Sequence, residues 1–114
     1  MEKTVSNYAR IFDETCPNWS NDHYKNLMFL GQMQHLVNDH LELEGIVFLN
    51  DVYKCLGFPR TQEGQIVGWH YDPENPIGDN FIDFDITDNG NNTFILDFNV
   101  DGKVIQYLPE NGHQ

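Results

Sequence analysis

Six aspartates in the second half of the sequence have carboxylate side chains at a spacing that could form a binding site. They are Asp79, Asp83, Asp85, Asp88, Asp97 and Asp101. Within residues 80–87 and 93–101, acids alternate with isoleucine, phenylalanine, leucine and valine. Alternate side chains of a β-strand lie on opposite faces, so four of these carboxylates would share the face opposite the core, with Asp79 and Asp88 at its ends. Rows of carboxylates create a field that attracts a basic protein and raises its association rate.

The charge of the whole chain favours a basic partner and argues against nucleic acids and anionic membranes. The 114 residues include 18 acidic and 6 basic ones, which gives a net charge of −12. Residues 1–60 have 8 acids against 5 bases (−3), and residues 61–114 have 10 acids against Lys103 alone (−9). Nucleic acids and anionic lipids require a basic footprint, which this chain lacks. A solvated face that maintains solubility is the alternative interpretation of the same acids.

Docking on a protein also requires apolar anchors among the charges, and two large aromatic residues lie close to the acids in the sequence. The predicted partner-binding residues are therefore Asp79, Asp83, Asp85, Asp97 and Asp101, with Phe81 and Trp69 as the apolar anchors. We expect the aspartates to supply the electrostatic attraction.

Metal and catalytic motifs match the sequence poorly. The run from Asp83 to Gly90 superficially resembles a calcium loop, but the position of the closing glutamate is apolar. The histidines show no zinc spacing, and the two cysteines, Cys16 and Cys55, are 39 positions apart. Phosphate-binding glycine loops and nucleophile motifs are also absent from the sequence. We therefore predict no enzyme, no cofactor and no metal, with weak divalent binding by Asp83 and Asp97 as an alternative.

Several other polar residues have a structural interpretation. His40 falls on the apolar stripe of a long helix, which predicts a hydrogen-bonded core residue, and Cys55 is predicted to pack in a short helix. His70, between two aromatic residues, could line a groove. A short helix over residues 51–56, followed by Gly57 and Arg60-Thr61, resembles part of a helix-turn-helix, but Lys54 and Arg60 are the only bases nearby and are too few to recognise DNA.

The helices and strands that the sequence predicts around these residues indicate an α+β fold in a single domain, residues 1–114. Apolar residues recur at helical spacing over residues 4–14 and again over residues 21–43. The second segment predicts the main helix, capped at Ser20 or Asn21 and ended by Gly45. We expect one long helix and one or two short ones to pack on a mainly antiparallel sheet of four to five strands.

The sheet half, residues 45–108, follows a helical half, residues 1–44. A strand over 46–49 leads into a short helix over 50–56, with Asn50 or Asp51 as its N-cap and Gly57 at its C-terminus. A strand over 65–71 contains Gly68, which predicts a bulge or the close approach of another backbone. Further strands are predicted over 80–87, 93–101 and 103–108, and residues 109–114 are a predicted tail.

The loop at residues 88–92 predicts a hairpin whose register can be specified. Because both strands place even-numbered residues on the core face, paired residues must have the same parity. A three- or five-residue loop gives paired positions that sum to 180. Asp83 would then lie opposite Asp97, and Asp85 opposite Ile95. Two opposed carboxylates destabilise a hairpin unless water, a metal or a basic partner compensates.

Three runs of sequence resemble small uncharacterised proteins found in phages and mobile elements of Firmicutes. They are FLNDVYKCLGFPRTQEGQIVGW, GDNFIDFDI and ILDFNVDG. The resemblance covers about residues 45–102 and leaves the first 44 residues outside it. It implies a cytosolic accessory protein of a bacterial virus or mobile element. Phage proteins of this size and charge often inhibit host machinery, and some block CRISPR effectors by occupying nucleic-acid channels. The comparison with this chain is an analogy between classes of protein and rests on no shared motif.

These observations lead to one expected function and one alternative. We expect an acidic, non-enzymatic binding protein in the bacterial cytoplasm that docks on a basic, nucleic-acid-handling host protein, as an anti-CRISPR that mimics DNA would do. The alternative is a self-assembling accessory or virion protein, such as a homodimer, that uses an exposed edge strand and an outward Ile95. No apolar run is long enough to span a membrane.

Overall fold

The computed structural model describes residues 5–108, which form two α-helices and two small antiparallel sheets. The helices are α1 (His23–Glu44) and α2 (Leu49–Leu56). The strands are β1 (Arg10–Phe12), β2 (Ile46–Phe48), β3 (Val67–His70), β4 (Ile86–Gly90), β5 (Thr93–Leu96) and β6 (Gly102–Lys103). One sheet has the order β1-β5-β4 and the other β2-β3-β6. The predicted α+β class is confirmed, but the described part of the chain divides its strands between two sheets instead of one.

Helix α1 matches the predicted main helix within one or two residues. Asp22 is the N-cap, because its carboxylate accepts from the backbone amides of Tyr24 and Lys25, and Gly45 ends the helix with φ 85°. The buried face includes Leu30, Val37 and Leu41. His40 is exposed, so its predicted place in the core is wrong. The apolar stripe covers a wide part of the helix circumference, and only some of its residues face the core.

Strand β2 continues directly into α2, as the sequence predicted, although the helix begins one residue earlier. The backbone amide of Phe48 donates to Asp51 Oδ2 at 3.3 Å, so Asp51 acts from the first turn and not as the N-cap itself. Gly57 ends the helix with φ 89°, a left-handed conformation that disfavours other residues. Val52 and Tyr53 are fully buried, and this short helix therefore packs into the core.

Gly68 allows β2 and β3 to approach closely, which confirms one of its two predicted roles. It lies opposite Phe48 in the antiparallel pair. A Cβ atom on Gly68 would lie 2.0 Å from the carbonyl oxygen of Val47, so no larger residue fits without separating the strands.

Residues 80–85 do not form the predicted strand, because β4 begins only at Ile86, and Asn80 and Asp85 have positive φ angles of 56° and 46°. Their backbone binds instead to two side-chain amides of α1. Asn38 accepts from the Ile82 amide at 2.7 Å and donates to the Ile82 carbonyl at 2.9 Å. Gln34 accepts from the Phe84 amide at 2.8 Å. We call Gln34 and Asn38 the amide pair; it takes the place of a neighbouring strand, while Ile82 and Phe84 are fully buried.

The β4–β5 hairpin preserves the predicted parity but not the predicted register. Its paired positions, such as Ile86 with Leu96, sum to 182 and not to 180. Asn91 and Asn92 form a two-residue tip with φ 54° and 61°, and a bulge between Asp88 and Gly90 restores same-parity pairing. The predicted oppositions of Asp83 with Asp97 and of Asp85 with Ile95 are therefore wrong. Half-buried Ile95 pairs with Thr87 on one side and with Ile11 on the other.

Three further predicted elements differ from the structure. Within residues 4–14, of which residue 4 lies outside the described part, the chain forms strand β1 and not a helix. The predicted strand over 93–101 ends at Leu96. In the predicted strand over 103–108, only Lys103 pairs, and Ile105–Tyr107 form a 3-10 turn. The predicted tail, 109–114, lies outside the described residues.

One apolar core connects both helices and both sheets. Phe12 and Phe94 contribute from β1 and β5, Leu41 and Tyr53 from the helices, and Trp69 from β3. The sheets therefore lie on a common core, and the segments that cross between them carry the predicted site residues.

Candidate functional site

Two segments without regular secondary structure, 79–85 and 97–101, lie side by side and contain most of the predicted binding residues. We call this arrangement the acidic junction. Asn99 connects the two segments: its backbone amide donates to the Asp83 carbonyl at 3.2 Å, and its side-chain oxygen accepts from the Asp83 amide at 2.8 Å. Its side-chain nitrogen donates to the Phe81 carbonyl at 2.9 Å and to Asp79 Oδ2 at 3.1 Å. One asparagine thus binds the opposite segment at residues 79, 81 and 83.

Trp69 supports the acidic junction from below and is not a surface anchor. Its side chain is fully buried, which contradicts the predicted contact with a partner. The indole Nε1 donates to Asn99 at both the backbone oxygen, at 3.0 Å, and Oδ1, at 2.9 Å. Trp69 therefore fixes the orientation of the Asn99 side chain.

Asn99 is the functional candidate that the sequence reasoning missed. It occupies the place of an aspartate in the alternation that includes Asp97 and Asp101. A carboxylate has no hydrogen to donate, whereas a side-chain amide both donates and accepts. The break in an otherwise acidic row was the signal that could have identified this residue.

The acids of the junction differ in exposure and do not form one row on a sheet face. Asp79, Asp83 and Asp85 are exposed, whereas Asp97 and Asp101 are half-buried. None of the five belongs to a β-strand. Asp83 Oδ1 accepts from the Asp85 amide at 2.8 Å, which turns the chain at Asp85, where φ is 46°. The predicted continuous carboxylate face is therefore corrected to an exposed acidic segment, 79–85, beside a segment whose acids serve the fold.

Asp97 and Asp101 use their carboxylates within the chain. Asp97 accepts from the Ser6 hydroxyl at 2.7 Å and from its amide at 3.3 Å. Asp101 Oδ2 accepts from the His70 amide at 3.0 Å. Burial raises the pKa of Asp101, and the Asp79 carboxylate adds to that rise, while the His70 amide opposes it. These two acids connect the junction to the N-terminal segment and to β3.

Phe81 is the apolar residue that the junction exposes. Its side chain is 46% exposed and lies in sequence between exposed Asp79 and Asp83, as the alternation predicted. The backbone of this segment is fixed from one side by the amide pair and from the other by Asn99. The result is an aromatic side chain presented at a constrained position and flanked by carboxylates.

The remaining sequence candidates lie apart from this arrangement. Asp88 belongs to β4, where the Gly90 amide and then His23 lower the pKa of its carboxyl group; His23 Nε2 lies 3.2 Å from Asp88 Oδ2. His70 stacks on the Tyr107 ring, with centroids 4.1 Å apart. Burial raises the pKa of the Cys55 thiol to about 11, in agreement with a packing role. Among residues 5–108, no three histidine, cysteine or acidic side chains group to hold a metal ion.

Comparisons with known proteins place the chain in a family but assign it no activity. No curated protein and no solved structure matches it. In the described part of the chain, no helix has the length and apolar character to cross a membrane. A model of a family of unknown function, DUF6353, matches residues 1–108, so the first 44 residues, which the sequence resemblance left out, are included. The chain therefore belongs to the DUF6353 family, whose function is unknown.

Proposed function

We propose that this protein is a non-enzymatic binding protein that docks on a basic protein surface through the acidic junction. The observation that carries the proposal is the exposed aromatic ring of Phe81 between two exposed carboxylates, Asp79 and Asp83. A large apolar side chain surrounded by charged groups is the usual composition of an energetic centre in an interface. Because its backbone is fixed on both sides, the segment loses little conformational freedom on binding.

Electrostatics supports the same conclusion. Residues 61–114 contain ten acids and only Lys103 as a base, so the field around the junction is strongly negative. Such a field steers a positively charged partner and raises the association rate at low ionic strength. The docking interaction should therefore weaken as salt concentration rises.

A basic protein that handles nucleic acid is the partner class that we propose. Carboxylates on neighbouring positions present charges to arginine and lysine as phosphates do. From the resemblance to phage and mobile-element proteins of Firmicutes, we propose that such an encounter takes place in the cytoplasm of a bacterial host. Inhibition of a defence system, as by an anti-CRISPR, is the role that fits this class, with DNA mimicry as the mechanism.

The structure indicates which variants test the proposal without damaging the fold. Asp97 and Asp101 bind the backbone of other segments, so reversing their charge would disturb folding. Phe81→Ala combined with Asp83→Lys and Asp85→Lys changes exposed side chains and removes one local hydrogen bond, from the Asp85 amide to Asp83, so circular dichroism must first show an unchanged fold. Glu14→Lys, which reverses one charge at an exposed position outside the junction, is the charge-reversal control.

The experiment is affinity capture from the native host, with elution by double-stranded DNA. We expect the wild type and Glu14→Lys to retain the same basic protein, the triple variant to lose it, and DNA to compete. Calorimetry with the purified partner should then show weaker binding at 0.5 M than at 0.1 M salt. Equal retention by the triple variant would contradict the proposal.

Self-association is a second candidate function, favoured by the exposed apolar surface of the β1-β5-β4 sheet. Strand β1 is an edge strand, and its Ile11 is 49% exposed and pairs with half-buried Ile95. Edge strands with apolar side chains are sites where a further chain can add. If this surface mediates assembly, Ile11→Asp should shift a concentration-dependent sedimentation coefficient to the monomer value.

A further inference from the structure

Helix α1 has a second apolar face that its own chain leaves uncovered. Tyr24 is 78% exposed, Met28 62%, Leu36 43% and Leu43 81%. At 100° per residue, these side chains lie on the side of the helix opposite the buried Leu30 and its neighbours Val37 and Leu41. A helix that is apolar on two faces is adapted to two partners, and the chain supplies one of them.

One edge of this outer face is open enough for a second helix to approach. Gly31 lies about 100° around the helix from Gln32, and a Cβ atom placed on it would meet no other atom within 4 Å. Glycine in a helix interior costs about 1 kcal/mol relative to alanine. The absence of a side chain there leaves the side of the face next to Met28 open to another helix.

We infer that the outer face of α1 pairs with the same face of a second copy of this chain, in antiparallel orientation about a twofold axis at Gln32. Position numbers that face each other then sum to 64. Lys25 of one copy faces Asp39 of the other, and Met28 faces Leu36. Both Lys25 and Asp39 are exposed, and both lie within about 20° of the centre of the face.

The charges decide the orientation. In a parallel pair, Lys25 of one chain would face Lys25 of the other, and Asp39 would face Asp39. Both contacts would bring like charges together. The antiparallel pair replaces both contacts with Lys25–Asp39 attraction. Within one chain, Asp39 lies 3.5 Å from His35 Nε2 on the exposed surface, so its carboxylate remains accessible.

The ends of the face fit the same arrangement. Along the helix axes, Tyr24 of one copy lies within one helical turn of Leu43 of the other, so two strongly exposed apolar residues lie at each end of the pair. Self-complementarity of this kind is the requirement for an isologous dimer. The inference assigns self-association to a surface other than the β1 edge, and it does not depend on the acidic junction.

The first test is sedimentation equilibrium of the full chain with a charge exchange. Lys25→Glu places two like-charge contacts in each dimer and should raise the dissociation constant about tenfold. Lys25→Glu combined with Asp39→Lys restores two attractive contacts and should return it to near the wild-type value. Failure of the double variant to recover would overturn the helix pairing, provided that circular dichroism shows unchanged helicity.

The second test uses the twofold axis. In a Cys16→Ala, Cys55→Ala background, Gln32→Cys places two thiols next to each other across the axis and should form a disulfide dimer on mild oxidation. Glu42→Cys is the matched control, because Glu42 is exposed, takes no part in the proposed contacts, and its two copies would be about 30 Å apart along the helices. Equal cross-linking of the two variants would contradict the proposed register.

The outcomes separate this inference from the functions proposed above. A monomer at every concentration up to 1 mM would refute self-association by either surface. A dimer that survives the α1 changes but dissociates with Ile11→Asp would refute the helix surface and leave the sheet edge. Capture of a basic partner by the acidic junction is expected in every case.

Discussion

Replacing Asn99 by alanine tests whether one side-chain amide keeps the acidic junction together. The substitution removes the hydrogen bonds to Asp79, to the Phe81 carbonyl and to the Asp83 amide, at 3.1, 2.9 and 2.8 Å. It also removes one of the two acceptors of the Trp69 indole, which keeps the backbone oxygen of residue 99 at 3.0 Å. Segment 79–85 would then lose the Asn99 side-chain bonds to segment 97–101 and keep the backbone bond from Asn99 to Asp83 and the bond from the Asp79 amide to the Asp101 carboxylate.

The structure sets the magnitude of the loss. A hydrogen bond contributes a net of about 0.5–1.5 kcal/mol to stability, and exposed groups that regain water lie at the lower end. The Asp79 contact is exposed and adds little. The Phe81, Asp83 and Trp69 contacts together give an expected loss of about 2 kcal/mol. With an m-value of about 1–3 kcal/mol/M, the urea midpoint should fall by about 1–2 M.

Urea unfolding followed by circular dichroism measures this loss, and Asn89→Ala is the matched control. Asn89 is an exposed hairpin residue whose side chain donates to Thr93 Oγ1 at 3.2 Å, so its removal should cost less than about 0.5 kcal/mol. A loss for Asn99→Ala that does not exceed the loss for Asn89→Ala would refute the role assigned to Asn99.

Three further predictions follow from the packing and the pKa shifts. Gly68→Ala should lower the free energy of unfolding by about 3 kcal/mol in urea titrations, because the new Cβ would lie 2.0 Å from the Val47 carbonyl oxygen. Cys55, with a thiol pKa of about 11, should react with iodoacetamide at pH 8 about tenfold more slowly than a free cysteine, since its smaller thiolate fraction outweighs its higher nucleophilicity. Asp101 has a raised folded-state pKa, so protonation favours the folded chain, and the stability of Asp101→Asn relative to wild type should fall as the pH drops from 7 towards 4.

Each of these three predictions has a control that can contradict it. Gly31→Ala adds a Cβ in open space on a helix and should stabilise by about 1 kcal/mol, so equal effects at the two glycines would contradict the steric argument. Cys55 should regain the rate of a free thiol in 8 M urea, and an unchanged rate would contradict burial as the cause. A stability difference for Asp101→Asn that is constant with pH would show that burial does not penalise the Asp101 charge.

The long helix and the joint between the two halves could be predicted because their signals are local. Gly45 and Gly57 mark helix ends through their own backbone conformations, whereas the N-cap of α1 is Asp22 and not the predicted Ser20 or Asn21. Gly68 indicated a close contact because glycine in a strand is otherwise unfavourable. Such features depend on few neighbours, and sequence spacing records them directly.

The hydrogen-bond partners of segment 80–85 could not be predicted, because alternation shows which residues face inward but not what the backbone binds. Ile82 and Phe84 are buried as the pattern required, yet their amides bind Asn38 and Gln34 of a helix more than 40 positions earlier. The helical pattern over residues 4–14 failed for a related reason. Phe12 is buried by pairing with a distant strand, and tertiary contacts outweigh weak local helix propensity.

The hairpin register depended on a detail that composition does not specify. Asn91 and Asn92 both adopt positive φ and close the turn in two residues, while the bulge at Asp88/Gly90 corrects the parity. Counting loop residues cannot reveal a bulge. The candidate site was therefore predicted in its exposed members, Asp83 and Asp85, and not in the way its two segments are connected.

The amide pair has a consequence for how this family can vary. Four residues of helix rise about 6.0 Å, and two residues of extended chain span about 6.6 Å. The spacing between Gln34 and Asn38 along the helix therefore matches the spacing between Ile82 and Phe84 along the segment. Within this segment, their hydrogen bonds reach only the backbone of Ile82 and Phe84. The side chains at positions 81, 83 and 85 can therefore change during evolution, and with them the choice of the proposed partner, while the same two amides keep the segment in place.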